Sequence, residues 1–299
     1  MIADTFSVEA ADVRIHRRQI EHSRAIDTNK IPSIIAAPNS WDAWRHERHY
    51  KALLPLVNDV GTEWLTIGDS GADAFWLKKR GVRKITASSL TTEQLDWLGQ
   101  IGHLDEIEKC AVDAQAIDLP DNSYDYVICK EAYHHFERPA LGIYEMLRVS
   151  RRAAILLCEP NCSDRWFPLD ALKRQLKILL RKNTGCSNPE FEAAGNFIYA
   201  LSLREATKMA TSLQLGTIYY SYLSDFWVPG IVKRKRSDLI ANIVMHSAVA
   251  IQNLLSTLGL MSWGKITIIV FKSTPPAKLD GALRKIGLRK VEVPRNPYL

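Results

Sequence analysis

Apolar and polar positions along the chain change rhythm near residue 62. Up to about residue 60 the sequence has a charged, helical pattern, broken at Ile31-Pro32 and Pro38-Asn39-Ser40. Ser40 stands where it can cap a helix beginning at Trp41 and running through Trp44, Tyr50 and Leu53-Leu54, since its hydroxyl can accept from first-turn amides. From Trp64 onward short apolar runs alternate with helical stretches, which is how a parallel sheet with crossover helices reads. Strands are predicted at Trp64 to Gly68, Lys84 to Ser89, Glu106 to Val112, Tyr124 to Cys129, Ala153 to Cys158, Thr217 to Leu223 and Lys265 to Lys272. Helices are predicted near Ala72 to Lys79, Thr92 to Gln100 and Ala140 to Val149. The pattern predicts an α/β fold with a doubly wound, seven-stranded sheet whose last pair forms an antiparallel edge. Residues 1–60 read as an N-terminal helical extension and 61–299 as one domain, with helical insertions at about 161–202 and 237–264.

Both insertions are amphipathic or apolar. Leu169, Leu172, Leu176, Leu179 and Leu180 repeat at helical spacing, with Lys173, Arg174, Lys177 and Arg181 opposite. The expected arrangement packs this stripe on the core and leaves the cations in water; the other reading rests it on anionic lipid. The stretch after Asp238 carries no formal charge as far as Gly264. It is long enough to suggest a membrane span. Asn242, His246, Gln252 and Asn253 interrupt it, so the expectation is a helix buried between the last two strands, at a homodimer contact. With Lys233-Arg234-Lys235-Arg236, the two segments raise peripheral contact with the inner face of a membrane.

At 46% hydrophobic and 24% charged residues the composition is that of an ordinary globular protein. A formal charge of +6 suits an anionic partner without choosing one. The cysteines Cys110, Cys129, Cys158, Cys162 and Cys186 have no C-x-x-C spacing, so no zinc or redox site is expected and no metal is predicted. They read as reduced thiols of a cytoplasmic protein, and the first residues have no apolar run of the secretory type.

Candidate chemistry clusters where strands end. The first strand runs into Gly68-Asp69-Ser70-Gly71, a turn that lets backbone approach a ligand closely. Its spacing misses G-x-G-x-x-G, which argues against a nicotinamide enzyme. Downstream lie Asp113-Ala114-Gln115-Ala116-Ile117-Asp118-Leu119-Pro120, then Asp121-Asn122-Ser123-Tyr124-Asp125-Tyr126 and Lys130-Glu131-Ala132-Tyr133-His134-His135-Phe136. Through these ordered blocks, over roughly residues 62 to 160, the sequence resembles class I S-adenosylmethionine-dependent methyltransferases, which have a Rossmann-like fold. It is most similar to their small-molecule branch. The Lys130 to Phe136 block further resembles methyltransferases of bacterial surface polysaccharide synthesis.

The resemblance implies S-adenosyl-L-methionine as cofactor and gives each residue an expected role. Gly68 passes the methionine part, with Asp69 and Ser70 in the same turn. Asp113 accepts from the adenine amino group, with Ala114 backbone nearby; an ionised carboxylate is acceptor-only and suits this. Cys129 and Lys130 contribute backbone at the sulfonium. His134 and His135, with His135 preferred, are candidate bases for an acceptor hydroxyl, and Glu131 orients a histidine or meets substrate. Two departures stand out: the turn has fewer glycines than the family pattern, and Ser89 occupies the place where an acid normally grips the ribose.

The expected acceptor is a small molecule or glycan, methylated at oxygen. One rival is an inactive binding protein of the same fold. The other is a nucleic-acid methyltransferase, against which Lys130-Glu131-Ala132-Tyr133 lacks an Asn/Asp-Pro-Pro-Tyr type of loop.

Overall fold

A computed structural model of the protein describes residues 16–21, 31–101, 104–163, 165–182 and 197–298. Eight strands form one sheet: β1 Glu63–Ile67, β2 Lys84–Ser89, β3 Glu108–Ala111, β4 Tyr124–Lys130, β5 Ser150–Pro160, β6 Thr217–Leu223, β7 Lys265–Phe271 and β8 Arg289–Glu292. Their order across the sheet is β3-β2-β1-β4-β5-β7-β6-β8. The first five are mutually parallel, and β7 runs antiparallel to both β5 and β6. The expected seven strands are thus eight. β8 was missed because Arg-Lys-Val-Glu is short and mostly charged, as befits an edge that must not recruit another chain. The antiparallel edge pair is therefore β6 with β8, while β7 lies inside the sheet.

The longer helices are α1 Trp41–His49, α2 Ala72–Lys79, α3 Pro139–Val149, α4 Pro168–Lys182, α5 Leu203–Ser212, α6 Leu239–Thr257 and α7 Ala277–Lys285. Ser40 caps α1 as predicted, its Oγ accepting from the Ala43 amide at 3.1 Å. The helix expected to continue through Leu54 instead breaks after His49 into a tight turn at Tyr50–Leu53 and a short helix at Leu54–Val57. Pro55 has no amide proton to carry the earlier ladder onward. The segment Glu93–Gln100, expected as an α-helix, is a tighter 3₁₀ stretch, tied down by Trp97 donating to the Ser70 carbonyl at 2.8 Å.

Alternation along the strands divides the core between the two faces. Trp64, Tyr126 and Ile128 enter one cluster, whereas Leu65, Ile67, Val127 and Cys129 enter the other. Ile34, Tyr50, Leu53 and Leu56 of the N-terminal extension are buried in the first cluster, so the extension is welded to the sheet.

Two packing expectations fail. Leu172, Leu176 and Leu179 of α4 are exposed rather than turned to the core. In α6 only a narrow stripe of Ala241, Met245, Gln252 and Ser256 is buried, and Leu239, Ile240, Ile243, Ile251 and Leu254 face outward. Met245 is the one large apolar side chain of the inner contact of α6, the rest of which is small or polar. Cys186 lies outside the described residues.

Candidate active site

The order β2-β1-β4-β5 reverses direction between β1 and β4, and at such a switch point the carboxyl ends of the strands leave a crevice. Gly68 leaves β1 at φ +65°, and a Cβ built on it would lie 2.6 Å from Ala132 Cβ in the loop after β4. Only glycine lets the two loops meet this closely. Asp69 then organises the turn. It is buried, and its carboxylate accepts from Thr66 Oγ1 (2.9 Å) and from the amides of Gly71, Asp73 and Ala74 (2.7–3.1 Å), capping α2. A cavity of about 180 Å³ opens beside it, lined by Gly68, Asp69, Ser70, Asp73, Lys130 and His46, with Pro32 to Ile34 across from them.

Asp73 and Lys130 bring opposite charges to that cavity. Burial, then the nearby charge of Asp69, pushes the Asp73 carboxyl up to about 7, and the Tyr50 hydroxyl donates to it at 2.5 Å. Lys130 is buried, which disfavours its charge, yet Asp73 and Glu131 outweigh that and hold the ammonium above its ordinary range. Glu131, at φ +50°, is clasped by Lys130 (3.2 Å) and Lys265 (2.7 Å). Burial opposes its ionisation, but Lys130, His49 and Lys265 prevail and keep its pKa below the usual carboxylate range.

Helix α1 adds a further layer. His49 sits between Glu131 (3.6 Å) and Asp225 (3.5 Å), while Arg45 joins Asp225 (2.5 Å) to Asp42 (2.7 Å). Burial, then Lys130, lowers His46 to about 3, so this imidazole is neutral. His46, His49 and Glu131 bring metal-ligating atoms within 4.8 Å of one another, although the two lysine ammoniums already hold the oxygens of that carboxylate.

Asp113 lies just past β3, two strands from Gly68, which is about 10 Å at normal strand spacing. One oxygen accepts from the Gln115 amide at 2.9 Å, and His16 stands 4.0 Å from the other. Ala114 is buried behind it. The loop that follows is clamped by Arg148, which grips Glu145 with two nitrogens (both 2.8 Å) and also donates to the carbonyls of Ile117 (2.6 Å) and Leu119 (2.8 Å). Glu145 in turn accepts from the Ile117 amide at 2.9 Å. Ser89, at the end of β2, is buried and donates to Gln94 at 3.2 Å. The Cys129 side chain is core.

The β4 loop is built around Glu159, fully buried near the end of β5. Its Oε1 accepts from the amides of Ala132 (3.0 Å) and Tyr133 (3.1 Å), and its Oε2 lies 2.8 Å from His134 Nδ1. The rings of His134 and His135 lie 4.0 Å apart, and the His135 carbonyl accepts from Gln19 at 2.5 Å. The structure thus gathers Gly68, Asp69, Ser70 and Lys130 at one cavity, with Glu131 paired to Lys130 behind it and His134 and His135 on the same loop; Cys129, Asp113, Ala114 and Ser89 do not line it.

Glu159, Asp73 and the extension residues His16, Gln19, His46 and His49 were missed by sequence reasoning. A lone acid between the apolar end of β5 and a proline was the available signal for Glu159. Nothing in sequence spacing pointed the extension at the site.

Residues 65–158 match the family described as a methyltransferase domain. The match spans about a third of the chain, from inside β1 to the end of the apolar part of β5, and S-adenosyl-L-methionine is its cofactor. No curated protein matches the chain. Among solved structures, the YcgJ protein from Bacillus subtilis is 17% identical over 76% of this chain and 100% of its own, with a TM-score of 0.49. A SAM-dependent methyltransferase from Archaeoglobus fulgidus is 12% identical over 78% and 95%, with a TM-score of 0.49. The magnesium protoporphyrin IX methyltransferase of Synechocystis PCC 6803, with SAH bound, is 14% identical over 89% and 88%, with a TM-score of 0.45. Likeness at this level says nothing about the acceptor.

The cavity of about 180 Å³ falls short of the roughly 300–1,000 Å³ of small-molecule pockets, so its residues fit the amino-acid end of S-adenosylmethionine and not the whole cofactor. Gly68 removes the side chain where backbone must come close, and Lys130 offers a cation and Asp73 a hydrogen-bonding carboxyl to a zwitterionic amino-acid end. The carboxylate of Asp113 keeps a partly exposed oxygen as an acceptor.

Proposed function

We propose that the protein transfers the methyl group of S-adenosylmethionine to an oxygen of a small-molecule or sugar acceptor. The observation that carries this reading is the pairing of buried Glu159 with His134 at 2.8 Å. A carboxylate at Nδ1 fixes the tautomer that leaves Nε2 unprotonated, the form that can take a proton from a hydroxyl. Geometry therefore favours His134 as the base ahead of His135, whose ring packs against it. Asp113 is assigned the adenine amino group with Ala114 backbone beside it, Ser89 the ribose, and Gly68 with Ser70 the methionine part. Asp69 acts by holding the turn, and Cys129 and Lys130 by shaping the sulfonium end. Glu131 positions Lys130.

When bound, the sulfonium supplies an electrophilic methyl carbon and a neutral thioether as leaving group. His134 receives the acceptor's proton as the new carbon–oxygen bond forms, and Glu159 stabilises the imidazolium that results. The Lys130 to Phe136 block supports an acceptor from surface polysaccharide synthesis. The thiols of Cys110, Cys129 and Cys158 support a cytoplasmic setting.

The test supplies methyl-labelled S-adenosylmethionine with panels of sugars, nucleotide sugars and polyols. A labelled methyl ether with stoichiometric S-adenosylhomocysteine is expected. His134→Ala should lower kcat about 10²- to 10⁴-fold while cofactor affinity holds. Label appearing instead in RNA or DNA, or cofactor binding with no acceptor in any class, would overturn the proposal.

A further inference from the structure

We propose that α4 and α6 form a docking face for an anionic membrane surface, independently of which acceptor the enzyme takes. In α6 the exposed residues Leu239, Ile240, Ile243, Ile251 and Leu254 fall within about a third of the helix circumference, opposite the buried stripe of Ala241, Met245, Gln252 and Ser256. Five large aliphatic side chains gathered on the water side of one helix form a contiguous apolar patch of the kind that marks an interaction surface. Leu172, Leu176 and Leu179 repeat the same arrangement on α4, at spacings of four and three.

The two helices belong to one surface. The Leu169 amide donates to the Leu260 carbonyl (3.1 Å), Asp170 accepts from the Ser262 amide (2.8 Å), and Lys173 Nζ lies 3.7 Å from Met261 Sδ. The start of α4 therefore rests on the turn that ends α6.

Charge selects the occupant. Lys233, Arg234, Lys235 and Arg236 are all exposed immediately before α6 and are held there by backbone bonds to the extension, Trp41 to Arg234 (3.1 Å) and Arg236 to Asn39 (2.8 Å). A second copy seated on this face would meet that run with residues 239–264, which contain no acid at all. An anionic bilayer offers both an apolar interior for the leucine and isoleucine stripes and negative headgroups for the cations. α6 is long and apolar enough to cross a membrane, but its inner stripe is committed to the protein, so it lies in the interface plane.

The topology places both helices at the rim that carries the site. α4 follows the carboxyl end of β5, and α6 joins the ends of β6 and β7 at the same rim, where Leu223 pairs with Lys265 and Lys265 reaches Glu131.

Flotation of the full chain tests the inference, using phosphatidylcholine vesicles with and without phosphatidylglycerol at low and high salt. Most of the protein should float with the anionic vesicles at low salt, and at least about tenfold less with neutral ones or at high salt. Ile243→Asp with Leu254→Asp should abolish flotation while leaving the thermal midpoint unchanged, because both side chains are exposed. Lys233→Glu with Lys235→Glu should do the same. No flotation with anionic vesicles at low salt overturns the inference. So does a dimer by light scattering that Ile243→Asp converts to monomer without any vesicle binding, which would give the face to a second copy.

Discussion

Asp113 offers its carboxylate from the loop after β3 with one oxygen satisfied by the Gln115 amide and the other near His16. A hydrogen bond to an ionised acceptor contributes about 1.5–3 kcal/mol. Asp113→Ala should therefore weaken S-adenosylmethionine binding roughly ten- to a hundredfold, as equilibrium dialysis would show. Asp73 makes a separate prediction. Its pKa rises to about 7 in the folded protein, so between about pH 4 and pH 7 the native state binds more protons than the unfolded one and loses stability as pH rises. Asp73→Asn should remove that loss while keeping an acceptor for Tyr50. Denaturant titrations should show the variant gaining on the parent across this window. His46, held neutral to about pH 3, acts in the opposite sense in both proteins and cancels in the comparison. Asp113, His134 and Gly68 could be named as candidates from the sequence because each belongs to a local block, and of the three Gly68 lines the cavity. Glu159 was not, since its partners lie about 25 residues upstream and only the parallel register of β4 with β5 brings them together.

At the scale of elements, the recognisable blocks turn out to be one mechanical unit. Glu145 and Arg148 of α3 hold the loop from Ile117 to Asp121 against the helix. Arg148→Ala should free this loop and weaken cofactor binding several-fold without lowering kcat at saturating cofactor, which steady-state kinetics can separate. The loss of stability should be modest, about 1 kcal/mol, because the guanidinium is partly in water. The turn after β1 is less forgiving. Gly68→Ala meets both a left-handed backbone and Ala132 Cβ at 2.6 Å, and should cost roughly 1–3 kcal/mol in denaturant unfolding. Strands β1, β4 and β5 were readable because burial on both faces makes them largely apolar runs. The short, charged β8 and the outward apolar faces of α4 and α6 were not. Period alone gives a helix its apolar stripe but does not say which way that stripe turns.

For the whole molecule, the N-terminal extension is the element whose place the sequence least discloses. Residues 16–21 reach Asp113 and His135, while residues 32–34 and His46 close the cavity at Gly68. Charged, helical segments of this kind read as an appendage until the fold wraps them over the carboxyl ends of the strands. The match to a methyltransferase domain spans residues 65–158, yet Glu159, Lys265, Asp225 and the extension reach the candidate site from outside that span. Isothermal titration of the full chain with S-adenosylmethionine tests this account most directly. One site per chain with measurable heat is predicted. Absence of heat at millimolar ligand would contradict it.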